Sequence, residues 1–189
     1  MIKELILKNR SYRRFVQSEK IEMETLKELV ELARLSPSSS NVQPLRFILS
    51  NNEPKNNRIF ENCAWAGYLT DWPGPEEGER PSAYIVILSD REIAKGASCD
   101  HGIVAQSILL GAVEKGLGGC MIGSIKREKL RESLNIPEKF EILLIIALGV
   151  PNEKIVIEPI GTDGSIKYWR DSRNVHHVPK RSLNDIILE

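Results

Sequence analysis

Asn9-Arg10-Ser11-Tyr12-Arg13-Arg14-Phe15 places three arginines and a serine hydroxyl within five residues. Fork-shaped guanidinium donors with a neutral hydroxyl among them suit a phosphate dianion, which accepts several charge-assisted hydrogen bonds at once. The same residues would also serve as a solvated helix end, because cations favour a helix C-terminus. A second group, Ser36-Pro37-Ser38-Ser39-Ser40-Asn41-Val42-Gln43-Pro44, sets short hydroxyl and amide side chains between prolines. It reads either as a rigid turn lined with donors or as a plain helix-to-strand loop. Gly116-Leu117-Gly118-Gly119-Cys120-Met121-Ile122-Gly123-Ser124 is glycine-rich, yet Met121 stands where a dinucleotide fingerprint needs glycine, and the stretch precedes a strand. The Rossmann reading therefore fails, and no P-loop exists. Backbone there approaches something flat. Cys120 sits in an apolar setting that raises a thiol pKa, so it reads as inert. In His176-His177-Val178-Pro179-Lys180-Arg181 the adjacent histidines point to opposite faces of an extended strand, which is poor geometry for a shared metal. Lys180 and Arg181 form a second basic pair that could join Arg10 and Arg13 on one anion.

These groups need elements to position them. Ile2 to Lys8 carries Ile2, Leu5 and Ile6 on one helical face, and Glu22 to Leu35 is the clearest amphipathic helix, stopped by Pro37. Strands are expected at Leu45 to Ser50, Ala83 to Leu88, Cys120 to Ile122 and Glu141 to Val150. Ala83 to Leu88 is continuously apolar, as a strand covered on both faces must be. Asp100 to Lys115 reads as a helix apolar nearly all round, with Gly102, Ala105, Gly111 and Ala112 permitting close approach of another helix. It is either a central helix at a subunit interface or an intrachain core helix. Arg127 to Leu134 forms a short helix. Residues 51–82 mix a short helix with a long loop of the kind that often covers a binding site. Turn signals at Asp163-Gly164 and Asp171 to Asn174 bracket Ile166 and Tyr168 in hairpin fashion. The tail from Ser182 to Glu189 is expected as a strand leaving the globule.

Composition narrows the function. At 189 residues the chain fits one domain, and roughly 70% of its unfolded surface can be buried at this size. Its 26 basic and 26 acidic residues cancel, so the phosphate attraction behind most nucleic-acid binding is missing. The longest purely apolar stretch, Ile142 to Leu148, has seven residues, against the ~20 needed to span a bilayer. The beginning reads as an amphipathic helix and not as a signal peptide. Three cysteines, odd in number and without C-x-x-C spacing, speak against a disulfide scaffold or zinc knuckle and for a reduced, cytoplasmic protein.

Taken in order, Arg10-Ser11-Tyr12-Arg13-Arg14-Phe15, the Ser36 to Pro44 stretch, the Asp100 to Gly119 helix and loop, Cys120 to Ser124 and the final Pro179-Lys180-Arg181 resemble the FMN-dependent nitroreductase family. The resemblance implies an α+β fold with a mixed, mainly antiparallel sheet flanked by helices. It further implies an intertwined homodimer made of one domain over residues 1–189, with residues 182–189 reaching the partner subunit. Two FMN molecules would lie at the subunit interface. By resemblance, Arg10 and Ser11 hold the FMN phosphate and ribityl end, and Lys180 and Arg181 add charge to the phosphate. Arg13 lies nearer the pyrimidine edge of the ring. Ser38, Ser39 and Asn41, from the partner subunit, bond the phosphate and ribityl. The backbone N–H near Gly123 reaches flavin N5, and Met121 and Ile122 pack on the ring. The family often carries arginine where this chain has Asn9, so one phosphate contact is either lost or taken over by Arg14.

The implied activity is NADH- or NADPH-driven, ping-pong reduction of nitroaromatics, quinones or similar electrophiles. The cofactor carries the hard chemistry, so no side chain is needed as a general acid and none is assigned as catalytic. The alternatives are a flavin-fragmenting or dehalogenating branch of the same scaffold, and a flavin carrier or redox sensor without turnover. Neither a nucleic acid nor a membrane is an expected partner.

Overall fold

Alternation along β2 (Ala83–Asp90) organises the molecule. In this computed structural model, which describes residues 1–188, Ala83, Ile85 and Ile87 face one apolar cluster, while Tyr84, Val86 and Leu88 face another. Both faces are covered, which is why the strand carries no polar alternation until Ser89. β1 (Leu45–Ser50), β2, β4 (Phe140–Gly149) and β3 (Gly118–Ile122) form an antiparallel sheet in the order β1-β2-β4-β3. The expected mainly antiparallel α+β architecture is present.

One face is covered by α2 (Met23–Leu35) and α4 (Asp100–Glu114). They meet where Gly111 faces Leu32 and Leu29 so closely that an added methyl group would fall 2.2 Å from Leu32 Cδ1. This is the close helix approach that the small residues of α4 foretold. Ile103, Leu110 and Val113 on the same helix stay half-exposed. α3 (Glu53–Phe60) and α5 (Arg127–Leu134) cover the other face through Ile59 and Leu130. α1 (Ile2–Lys8) buries none of its residues. Residues 61–82 form the long loop expected between α3 and β2.

A second, three-stranded sheet has the order β5-β7-β6, with β5 (Ile155–Pro159) parallel to β7 (His176–Lys180) and β6 (Trp169–Arg170) antiparallel to it. The hairpin turns at Asp171, whose carboxylate accepts from the N–H groups of Arg173 and Val175 at 2.9 and 2.8 Å. Ile166 and Tyr168 therefore precede the hairpin and do not form its alternation. The tail corrects another expectation, for Ser182 to Ile187 is a helical turn and not a strand. Ser182 and Asp185 bond each other's side chains and backbone N–H groups, and this local satisfaction outcompetes an extended chain. Glu189 lies outside the described residues. No helix among the described residues is long and apolar enough to cross a membrane.

Candidate functional site

The arginine segment between α1 and α2 is pinned along its length. Ser11 pairs with Gly119 of β3 as an isolated parallel bridge, and the Tyr12 N–H donates to the Gly119 carbonyl at 3.0 Å. A methyl group on the neighbouring Gly118 would lie 2.5 Å from Tyr12 Cδ2 and 2.6 Å from Pro151 Cγ, so glycine there lets the segment and the sheet approach this closely. The Glu153 carboxylate, with 1% of its side chain exposed, accepts from the backbone N–H groups of Arg13 and Arg14 and from Arg170 Nη2. A carboxylate this buried is tolerated because its acceptors are filled by charge-assisted and backbone donors.

This pinning brings Arg10, Ser11, Arg13 and Lys180 to the wall of one cavity of about 310 Å³, with Met121 and His176 opposite. A second cavity of about 160 Å³ shares Arg13, Met121 and Tyr168 with the first and adds Trp65, Ile122 and Gly123. The two form a groove that is basic and polar at one end and passes the exposed side chain of Met121, while the Ile122 side chain on the other face of β3 is buried in the core. Arg10 Nε is buried without a hydrogen-bond partner among the described residues, while Nη2 of the same side chain donates to the Ile6 carbonyl at 2.6 Å. An unpaired guanidinium N–H, a hydroxyl and two further cations at one end of a groove form a donor set fitted to a phosphate ester.

Several sequence candidates lie elsewhere. Ser38 donates to the Asp100 carboxylate at 2.6 Å and the Ser39 N–H donates to it at 2.9 Å, so this turn is drawn to the start of α4 and not to Arg10. Asn41 lies in an exposed turn with φ 55°. Arg181 is exposed and lines neither cavity. Arg14 forms a bidentate pair with Glu79 at 2.6 and 2.5 Å, which removes it as the replacement for a missing cation at Asn9. Asn9 instead bonds Gln106 of α4 at 3.3 Å. Cys120 is buried, and burial pushes its thiol pKa up; burial takes Cys63 up to about 12. Both are inert thiols, as the apolar sequence around Cys120 foretold.

Sequence reasoning missed Tyr168, His176, Trp65 and Glu153. Arg13 lies over the Tyr168 ring at 4.9 Å, and Tyr168 packs against His176. The available signal was the opposed faces of His176-His177. His176 is 1% exposed and faces the groove, whereas His177 Nδ1 lies 2.9 Å from Glu158. Burial lowers the His176 pKa to about 4, helped by the nearby Arg13, Arg170 and His177. Its unfolded value lies near 6.5, so the unfolded chain binds the proton first as pH falls. We therefore expect stability to decline between pH 6.5 and 4. In urea titrations, His176→Asn should recover on the order of 2 kcal/mol of the loss between pH 7 and 5. Parallel pH profiles for the two proteins would refute this assignment.

Comparison with known proteins finds kin for the chain. The family model described as nitroreductase family matches residues 6–150. The chain is 31% identical over 166 residues to an FMN reductase (NADPH) of Bacillus subtilis, covering 78% of this chain and 65% of that protein. Among solved structures, an FMN-dependent nitroreductase from Clostridium difficile aligns with TM-score 0.65 and 28% identity, covering 82% of this chain and 89% of that one. A nitroreductase family protein from Streptococcus pneumoniae aligns over 100% of both chains with TM-score 0.73 at 19% identity, a likeness of fold. The matched residues span the arginine segment, the turn at Ser38, the four-stranded sheet and the Met121 strand end, and by that match the chain belongs to the nitroreductase family.

Proposed function

We propose that this chain is an NAD(P)H-dependent FMN oxidoreductase whose acceptors are nitroaromatics, quinones or similar small electrophiles. The observation that carries the reading is the groove itself, with Arg10, Ser11, Arg13 and Lys180 on its wall and the exposed side chain of Met121 beside them. When bound, FMN would supply the redox chemistry that links NAD(P)H to the acceptor. The protein's part is to bind and orient. Arg10, Ser11 and Lys180 hold the phosphate and ribityl end, and Arg13 sets positive charge beside the ring. Met121 packs on the ring, Ile122 lines the groove beside it with its side chain held in the core, and the Gly123 region offers its backbone N–H. Arg181 adds charge from the chain's exposed end.

The reading includes a homodimer in which Ser38, Ser39 and Asn41 of a second copy complete each site and the tail from residue 182 docks on the partner. Ile2, Ile6, Leu7 and Leu35 are exposed, and Ile103 and Leu110 half-exposed, an amount of apolar surface that a subunit interface would cover. Sedimentation should give about twice the 21.3 kDa chain mass. A 21.3 kDa species at micromolar concentration would remove the second copy from the site. The proposal treats the chain as one domain of a cytoplasmic protein, in keeping with three free cysteines.

The test is a visible spectrum of the purified protein after addition of FMN and dialysis, followed anaerobically. A retained flavin band that NADH or NADPH bleaches and a nitroaromatic or quinone restores is the expected result. A band that no donor bleaches would make the protein a flavin carrier or sensor, and no retained band would remove the cofactor.

A further inference from the structure

A third cavity, of about 110 Å³, lies outside the groove between α3, the start of β2 and the loop before α2. It shares no lining residue with the two cavities above. Three of its lining residues each carry a buried polar atom that lacks a hydrogen-bond partner among the described residues: Tyr84 Oη, Ser82 Oγ and Arg80 Nε. Tyr84 is 1% exposed, and an orphaned hydroxyl at that depth is costly unless something within the cavity receives it. Asn56 does not, for its amide oxygen accepts from Ser50 at 2.7 Å, its nitrogen donates to the Ser82 carbonyl at 2.8 Å, and it makes no bond to Tyr84. Arg80 forms no ion pair among the described residues, and its guanidinium lies 4.4 Å from the Phe60 ring centre. The charged groups on the wall are Arg80, Lys20 and Glu53. One cation is thus left over, balanced by one negative charge.

We propose that this cavity is a second binding site, for a small monocarboxylate. Arg80 pairs with the carboxylate, Tyr84 and Ser82 donate their hydroxyls to it, and Phe60 and Pro81 contact its short apolar body. The surplus of a single positive charge disfavours a phosphate dianion, which would leave the cavity negative. The cavity exceeds the space of one water molecule severalfold, enough for a short-chain acid.

The test titrates the FMN-loaded protein with sodium propionate, and separately with inorganic phosphate, at constant ionic strength. Amide correlation spectra and the Arg80 Nε–H resonance are followed. Propionate should bind saturably with Kd on the order of 1 mM and slow exchange of the Arg80 Nε–H. Arg80→Gln should abolish saturation, and Tyr84→Phe should weaken binding about tenfold. Tyr84→Phe removes only an unpartnered hydroxyl, so it should fold as the parent does and keep the test readable. A linear, unsaturable response to propionate would overturn the site and leave a hydrated cavity. Equal affinity for phosphate, or saturation unaltered in Arg80→Gln, would overturn the assignment as well.

Discussion

Arg10→Gln is expected to bind FMN about 100-fold more weakly than the parent chain, as two charge-assisted hydrogen bonds to a phosphate are lost. Arg10 is the arginine of the segment whose Nε is both buried and unpartnered. Arg14 is held by Glu79, and Arg13 lies over Tyr168. The Ile6 carbonyl that accepts from Arg10 belongs to the exposed last turn of α1, so stability should change by no more than about 0.5 kcal/mol. Flavin fluorescence quenching measures the affinity, and added salt should narrow the gap between the two proteins at the exposed end of the groove. Lys180→Gln should lose only severalfold, because Lys180 is exposed and its charge is already screened by water. Unchanged affinity in Arg10→Gln would move the phosphate to another part of the groove.

The largest stability effect is expected at Phe15, which is 0% exposed although it directly follows Arg13 and Arg14. Its ring fills the space left by Gly149, whose missing Cβ would lie 2.7 to 2.9 Å from Phe15 atoms. Around it the chain is tied on both sides, Phe15 N–H to the Glu79 carbonyl and Val16 N–H to the Val150 carbonyl, each at 2.9 Å. These bonds hinder collapse around a truncated side chain, so Phe15→Ala should leave a cavity and cost about 3–5 kcal/mol. At this chain length that corresponds to a fall of about 6–20 °C in Tm, read by calorimetry. Gly149→Ala should destabilise by overpacking the same contact, about 1–3 kcal/mol. Because Phe15 anchors the segment that carries Arg10 and Arg13, FMN affinity should fall with it. A small change in Tm for Phe15→Ala would mean that the arginine segment is held by its backbone bonds alone.

Much of this molecule is written in its local hydrophobic pattern. Arg127–Leu134 was legible to the residue, and β2 and β4 to within two, the two strands because they are apolar runs of strand length that a short window detects. The hydrophobic run of β2 and the small residues of α4 also announced which elements would be covered on several sides. β5 was missed. It is a short peripheral strand ending at a proline, and its parallel partner β7 follows some twenty residues later.

The residue types of the groove's basic end could be read without coordinates. Three arginines and a serine in five positions have that chemistry wherever they sit, and the failed glycine fingerprint and inert Cys120 were equally local facts. Which of those residues meet was decided by tertiary structure. Glu153 holds Arg13 and Arg14 from 140 and 139 residues away, and Tyr168 comes under Arg13 across a comparable span. Within one chain Ser38 meets Asp100 and not Arg10. A polar side chain takes whichever partner packing brings within hydrogen-bond reach, and that proximity depends on how sheets and loops close. Local spacing therefore determined what the residues could do, and the fold decided which of them do it together.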